Sequence, residues 1–565
     1  MDTRDNAEGK VRRLLGRRDF LKAALGVSSV ALLAACGQPA APSPTKAPES
    51  KPAATQAPAA TQAPAATQAP AATQAPAKVG TETIRIAIGV DPDTLDPAGQ
   101  TTTTVQNIVD HVCETLVTLG PDGQIHPGLA ESWDTGADGK SYTFKLRQGV
   151  KFHDGAPFNA EAVKASWERI LSPDLKVPLL GVMRVVDKVT AVDANTVRFD
   201  LKEPFAPFIS ANAQSFVAIT SPNTAKNFAK TYNEEPVGTG PYKFKSRTKG
   251  TEVVLERNED YWGKKPYYKT AQFRVVPEAA TRESLVLAGQ AEVIILPPVS
   301  DIPKLQQNNQ VKVILAKSNR TIYCGIACSR SGPTSQKAFR QALNYAVDKE
   351  GIIKSVLFGA AEAMDAPMSS MLFGHCKAGS YAYDPNKAKQ LLQQGGWSGA
   401  SIKMAYPTGR YVQDAAAAQA IANNLRDVGL NVEATTMDWP TYIGTAVNVP
   451  PDKVQYDIHM LGWAPGYLDA SQQMVQFQKA NWPPAGLASA HYSNPEVEDL
   501  LAKAAKGTDQ KVRADQYCQA SKIIWEDAPW IFLWVQSFPI VHSVKVKNVQ
   551  SIATEKFYTL YAEPA

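Results

Sequence analysis

Four consecutive copies of Pro-Ala-Ala-Thr-Gln-Ala begin at Pro52, Pro58, Pro64 and Pro70, and they divide this chain into parts that obey different folding rules. From Pro39 to Ala77 the residues are Ala, Pro, Thr, Gln and Ser apart from Lys46, Glu49 and Lys51, with no large apolar side chain. Such a stretch cannot bury enough surface to offset the entropy lost on ordering. Its regular prolines favour extended, polyproline-like conformations, so residues 37–80 are expected to form a semi-stiff, disordered tether. Any packed core lies beyond it. The remaining length exceeds what one ordinary core supports and predicts two or more domains.

The segment before the repeats has the layout of an export signal. Arg12, Arg13, Arg17 and Arg18 make a basic n-region, and an apolar run follows from Ala23 to Ala35. That run is too short to cross a bilayer core of about 30 Å. It ends in Leu33-Ala34-Ala35-Cys36, with small residues where a signal peptidase must reach the backbone. Arg17-Arg18-Asp19-Phe20-Leu21-Lys22 resembles a twin-arginine signal, with Gly16 in place of the usual Ser or Thr. Leu33 to Cys36 resembles a bacterial lipobox, which implies a signal peptide over residues 1–36 and diacylation of Cys36. Two or more acyl chains give stable anchoring on a membrane surface.

Charge excludes one class of partner. Seven Lys/Arg and four Asp/Glu precede Cys36, so removing that segment lowers the net charge from +5 to +2. A nearly neutral mature chain without like-charge runs has no electrostatic footprint for nucleic acid. Beyond Cys36 the cysteines are Cys113, Cys324, Cys328, Cys376 and Cys518, an odd number at irregular spacing, which is not a small secreted disulfide framework. In an extended segment Cys324 and Cys328 lie about 13 Å apart, too far for a bridge. The other pairings stay open. No metal site is expected: His375-Cys376 is the sole adjacent soft pair and His491 is isolated.

From Thr83 the pattern becomes globular. Ile84 to Ile88, Tyr142 to Leu146, Thr196 to Leu201 and Val253 to Glu256 alternate as strands. Val105, Ile108, Val109, Val112 and Leu116 share one face of a predicted helix over 105–116. Asn159 should cap a helix carrying Val163, Trp167 and Ile170. Lys337 to Val347 and Glu496 to Lys506 are amphipathic, and Asp384-Pro385 opens a helix that stops at Gly395-Gly396. Mixed strands and helices of this kind predict an α/β (mixed α+β) fold. Gly238-Thr239-Gly240-Pro241 lacks the Lys-Ser/Thr of a phosphate loop and reads as a tight turn before a strand. His153-Asp154 likewise reads as turn capping rather than an acid/base pair.

The order of motifs carries a resemblance. Thr94-Leu95-Asp96-Pro97, Gly149-Val150-Lys151-Phe152-His153-Asp154-Gly155, Val237-Gly238-Thr239-Gly240-Pro241-Tyr242 and Asp260-Tyr261-Trp262-Gly263 come first. Arg340 to Asp348, Tyr383-Asp384-Pro385-Asn386-Lys387, Tyr492-Ser493-Asn494-Pro495 and Ala528-Pro529-Trp530 follow. Together they resemble the family 5 extracellular solute-binding proteins of ABC importers, the dipeptide, oligopeptide and nickel-binding group, from Thr83 to the C-terminus. The resemblance implies a two-lobed periplasmic-binding-protein fold with a hinge between lobes and an extra subdomain in the first. Lobe I is expected at 80–322 plus 533–565, its inserted subdomain at about 127–239, and lobe II at 323–532. It also implies a monomer without cofactor, an ABC permease with a cytoplasmic ATPase as partner, and a small peptide-like ligand held where the lobes close.

Carried over residue by residue, the ligand should meet Trp463, Ala464, Gly466 and Asp469 in the stretch Gly462 to Asp469. Tyr323 and Trp439 fall in other pocket-facing segments, Thr103 and Thr104 in a first-lobe loop, and Arg410 where some relatives hold a ligand carboxylate. Peptide-binding relatives usually carry, at the position of Gly466, an Asp that pairs with the ligand's α-ammonium. Asp469 matches a second Asp that more often serves structure. The alternatives are an oligosaccharide, an opine or a metal chelate on the same fold, a sensory or chaperone-like use of it, and an exported hydrolase. Against the last, the chain has no Gly-x-Ser-x-Gly and no His-Glu-x-x-His.

Overall fold

The computed structural model describes residues 82–565 except 93, 100–102, 174, 176, 178–180 and 226–234. The expected signal peptide, the lipidated Cys36 and the tether lie outside the described residues. The described chain falls within one unit, Ala75–Ala565.

Its backbone is an eleven-stranded mixed sheet. In spatial order ten of the strands are Asn431–Met437, Ser401–Pro407, Ile458–Trp463, Val311–Ile326, Trp530–Ser543, Val293–Ile295, Thr83–Ile88, Thr270–Val275, Glu252–Arg257 and Tyr242–Thr248. Ala361–Ala363 pairs at the side of Trp530–Ser543. The two longest strands, Val311–Ile326 and Trp530–Ser543, run antiparallel through the middle of the sheet. The far end of Trp530–Ser543 pairs with Val293–Ile295, whereas Thr321 to Ile326 pair with Ile458–Trp463. Their mutual register shifts between Lys317 and Thr321. This irregularity is where the sheet passes from one half to the other, and such bulges bend and twist strands.

A separate four-stranded antiparallel sheet, ordered Ala130–Thr135, Ser141–Leu146, Thr196–Leu201 and Val186–Asp193, lies inside the first half in sequence. Helix Ala160–Leu171 covers it and brings Trp167 edge-on to Phe199 at 5.1 Å. Asn159 caps this helix by accepting from the Ala162 amide at 3.0 Å. Asp384 does the same for Pro385–Gln394, where Pro385 takes the position with no amide partner to lose.

Most of the sequence motifs prove to be scaffold. Asp96 accepts from the Ala98 amide and forms a buried ion pair with Arg169. Gly240 accepts no side chain, because a Cβ there would lie 2.7 Å from the His111 carbonyl oxygen. His153 Nε2 is 2.9 Å from the Gly240 carbonyl, and Asp154 accepts from Ser221, so this pair holds turns together. Half-buried Glu114 accepts from Thr239, Tyr261 and Trp262 at 2.7–2.9 Å and ties two motifs into one knot. Burial pushes its pKa up despite these donors.

One element differs from expectation. The helix predicted over 105–116 spans Thr103–Val109 only. Val112, Cys113 and Leu116 are buried as the periodicity required, but the carbonyls of His111 and Val112 accept from Tyr242 and Gly240 instead of continuing the helix.

Cys376 and Cys518 form a disulfide, with Cα atoms 5.4 Å apart. It fastens the loop around Phe373 to helix Gln510–Asp527. The soft pair His375-Cys376 is thereby dissolved: His375 Nε2 meets Asp365 at 2.9 Å. Among the described residues Cys113, Cys324 and Cys328 are free. Among the described residues no helix is long and apolar enough to cross a membrane, and no group of three His, Cys, Asp or Glu side chains converges as a metal site.

Candidate functional site: a loop cluster at the ends of three strands

Strand Ser401–Pro407 runs parallel to both Asn431–Met437 and Ile458–Trp463, so three carboxyl ends leave the sheet side by side. In α/β sheets the crevice outside such ends is where ligands bind. Arg410 and Trp439 lie just beyond two of these ends, and Trp463 is the last residue of the third strand.

Asp414, in the first turn of helix Asp414–Asp427, fixes the first loop. Its carboxylate accepts from the amides of Gly409, Arg410 and Tyr411 at 2.7–3.1 Å. Tyr411 is buried, and its hydroxyl donates to the Gly462 carbonyl at 3.3 Å, tying this loop to the strand that ends in Trp463. Its ring stands edge-on to Trp439 at 6.0 Å. The Arg410 guanidinium lies over both rings, 5.1 Å from Tyr411 and 5.0 Å from Trp439.

Arg410 has no hydrogen bond or ion pair from its side chain to any described residue. Desolvation pulls its pKa down, Arg320 acts in the same direction, and Tyr411, Glu555 and Asp414 act against it. It stays charged at physiological pH. Arg320 and Glu555 form a buried ion pair, with Nε donating to Oε1 at 2.8 Å and the second contact at 2.5 Å. Arg320 sits in the irregular stretch of Val311–Ile326, so the free guanidinium faces the place where the sheet changes halves.

Trp463 is half-buried, and its indole Nε1 donates to the Gln472 carbonyl at 3.0 Å. Its own carbonyl accepts from Thr321 at 3.3 Å. Asn319 donates to the Pro465 carbonyl at 2.5 Å. The Oδ1 of Asn319 and the Oε1 of Gln473 are buried acceptors with no partner. Ala464 is half-buried and Gly466 is exposed. The Gly466 amide donates to Gln472 Oε1 at 2.6 Å, and a Cβ at Gly466 would collide with Gln214 Oε1. Two neutral amides therefore stand where the resemblance led one to look for a carboxylate.

The structure brings Arg410, Trp439, Trp463 and Ala464 together and separates the rest. Tyr323, expected to face the pocket, is a core residue: it is fully buried, stacks on Trp530 at 3.4 Å and donates to Gln476. Strand alternation explains this, since neighbouring positions on one strand point to opposite faces. Asp469, expected at the ligand, is consumed by structure. It pairs with Arg513 at 2.8 Å with both side chains buried, and it caps the next helix through the Ser471 amide at 3.0 Å. Thr103 and Thr104 open helix Thr103–Val109, which packs on strand Lys556–Tyr558. That strand directly follows Glu555, and neither threonine meets the cluster. Tyr411, Arg320 and Glu555 were not anticipated. Tyr411 adjoins Arg410 in sequence and was findable, whereas the partners Arg320 and Glu555 lie 235 positions apart.

A cavity of about 850 Å³ is bordered by residues 466–469 of the Trp463–Asp469 loop and not by Arg410, Trp439 or Trp463. Of the expected ligand residues only Gly466 and Asp469 border it.

Comparisons with known proteins agree with this architecture. The family described as bacterial extracellular solute-binding proteins, family 5 Middle, matches residues 124–483. The glutathione-binding protein GsiB of Pectobacterium atrosepticum is 30% identical over 463 residues, covering 82% of this chain and 90% of the relative. GsiB of Salmonella typhi is 28% identical over 467 residues, with 82% and 91% covered. Among solved structures, HbpA2 from Haemophilus parasuis superposes with a TM-score of 0.77 at 24% identity, over 86% of this chain and all of that one. The ABC transporter-associated periplasmic binding protein DppA from Helicobacter pylori, in complex with the peptide STSA, superposes with a TM-score of 0.72 at 26% identity, over 85% and 98%. The fold is thus that of the two-lobed periplasmic binding proteins, and the chain belongs to family 5 of the bacterial extracellular solute-binding proteins, the substrate-binding components of ABC transporters.

Proposed function

We propose that this chain captures a small peptide-like solute bearing a free carboxylate at the Arg410–Trp439–Trp463 loop cluster and delivers it to an ABC permease driven by a cytoplasmic ATPase. One observation carries the reading: Arg410 presents a guanidinium with no ion-pair or hydrogen-bond partner among the described residues, held in place by two aromatic faces. A guanidinium matches a carboxylate with two parallel hydrogen bonds. Half-buried Trp439 and Trp463 offer large apolar faces that tolerate varied side chains. The GsiB relatives and the STSA complex support a peptide-like solute.

In this reading residues 80–322 plus 533–565 form the first lobe and 323–532 the second, with 127–239 inserted in the first. The register shift near Ser318 to Arg320 supports a hinge close to those boundaries. The chain works as a monomer, catalyses no reaction, and is held by lipid on Cys36 at the outer face of the cytoplasmic membrane, with the Pro-Ala-Ala-Thr-Gln-Ala repeats as spacer. A second reading, an anionic non-peptide solute, draws support from the neutral amides of Gln214 and Gln472 around Gly466.

Native mass spectrometry of the exported protein, followed by denaturing conditions, tests both. A released mass fitting a peptide supports the first reading, and a released opine-like or sugar-like anion supports the second. A protein that retains no solute and gains no thermal stability from peptides, glutathione or opines would end the uptake proposal.

A further inference from the structure

The cavity beyond Gly466 differs from the loop cluster in its chemistry. One wall comes from the four-stranded sheet and the segment that follows it, including Trp133, Tyr142 and Ser210; the other comes from Phe373, Tyr467 and Thr508 with their neighbours. At about 850 Å³ it falls within the range of small-molecule pockets. Among the described residues its charged lining consists of Asp469 and Arg513, which neutralise one another at 2.8 Å. Arg513 is further occupied by the Ala504 carbonyl at 2.7 Å and lies over the Phe373 ring at 4.8 Å. What remains is the half-buried rings of Trp133 and Phe373, aliphatic side chains such as Ile125 and Leu468, hydroxyls and amides. Direct contacts seal the two walls to each other: the Ala206 amide donates to the Ala505 carbonyl at 3.1 Å, and Lys506 pairs with Glu203 at 2.8 Å. The disulfide between Cys376 and Cys518 holds the Phe373 loop as a fixed wall.

We infer that this cavity is a second binding compartment for an uncharged group with an apolar face and amide or hydroxyl functions. An ion would lose its hydration there without finding a free counter-charge, whereas aromatic faces and neutral donors suit such a group. The group is borne either on the solute held at Arg410 or on a separate molecule.

The probe is N-acetyl-L-phenylalaninamide, titrated against the exported protein by saturation-transfer NMR and calorimetry, with zwitterionic phenylalanine as the charged comparison. The neutral probe should bind saturably and phenylalanine at least tenfold more weakly. Ser210→Trp and, on the opposite wall, Thr508→Phe should each weaken the probe at least tenfold. Thr508 is exposed, so its variant tests the cavity even if Ser210→Trp fails to fold. Displacement of the probe by glutathione or STSA places both groups on one solute, and simultaneous binding makes the compartment separate; either agrees with the inference. Arg410→Ala distinguishes the two sites, since it should weaken a carboxylate-bearing peptide at least tenfold and leave the probe within twofold. Absence of probe binding, unchanged affinity in a folded wall variant, or loss of the probe in Arg410→Ala would overturn the inference.

Discussion

Two arginines, Arg410 and Arg513, have opposite surroundings. Arg513 is buried with its charge cancelled by Asp469, and its Nε and Nη1 donate to Ala504 and Gln510. Arg410 is exposed, lies over the π-faces of Tyr411 and Trp439, and has no carboxylate partner among the described residues. The first arrangement is self-contained, so removing one partner leaves an uncompensated charge in the interior. The second is incomplete, so its missing partner must come from solvent or ligand. A charge that the fold has already satisfied belongs to stability, and one left open belongs to recognition.

The largest expected effect breaks the satisfied side. Asp469→Asn leaves Arg513 buried without its counter-charge, while the amide oxygen of the new side chain can still accept from the Ser471 amide that caps the following helix. Losing one partner of a buried pair costs about 3–5 kcal/mol. Urea unfolding should show that loss, whereas Arg410→Ala should change the same midpoint by less than about 0.5 kcal/mol. Equal destabilisation by the two variants would erase the distinction between the sites.

Next in size is the effect of Arg410 on binding. Hydrogen bonds to a charged group contribute about 1.5–3 kcal/mol, so Arg410→Ala should weaken a carboxylate-bearing peptide by roughly 10- to 150-fold in calorimetry. Arg410→Lys should recover only part of that, because a lysine cannot present the planar fork or the same stacking. A peptide amide lacking the carboxylate should bind both proteins alike. If it discriminates between them as strongly as the free acid does, Arg410 acts through loop shape rather than charge.

Much of the scaffold was legible in the sequence because local rules wrote it. Asn159 and Asp384 are caps with the expected amide partners, and alternation placed Ile84, Ile86 and Ile88 in the core. The candidate site was legible only in part. Arg410, Trp439 and Trp463 lie at the ends of three strands whose parallel pairing brings them together. Tyr323 and Asp469 carry the same residue types but face the interior, and local spacing does not reveal that Arg513, 44 positions away, claims Asp469. The short helix Thr103–Val109 failed for a related reason. Its hydrophobic period continues to Leu116, yet distant amides of Gly240 and Tyr242 take the carbonyls that a longer helix would use. Pairings across long sequence separations decided each of these outcomes.

A smaller effect is expected from restoring a charge at Gly466. Gly466→Asp places a side chain where Gln214 Oε1 now sits, so Gln214 must swing away. Combined with Gln214→Ala to clear the space, the new carboxylate should raise affinity for a peptide with a free amino terminus severalfold and leave an N-acetylated one unchanged. If both peptides respond alike, the position governs space rather than charge.

The smallest effect on binding is expected from pH, and it separates the site from the core. Burial pushes His459 down to about 3 and His111 down to about 4, so both stay neutral in the folded protein well below the usual value of 6.5. The unfolded chain then takes up protons that the native state refuses. Stability held above pH 6.5 should fall progressively as pH drops towards 4. His459 lies on the strand that ends in Trp463, and its Nε2 is 2.7 Å from Ser489. His459→Gln should lower stability at neutral pH while flattening its acid dependence. Arg410 does not titrate in this range, so peptide affinity should stay flat between pH 7 and pH 5 while the urea midpoint declines. An affinity that tracks the midpoint step for step would mean that recognition draws on the core's protonation, and the division between satisfied and open charge would no longer hold.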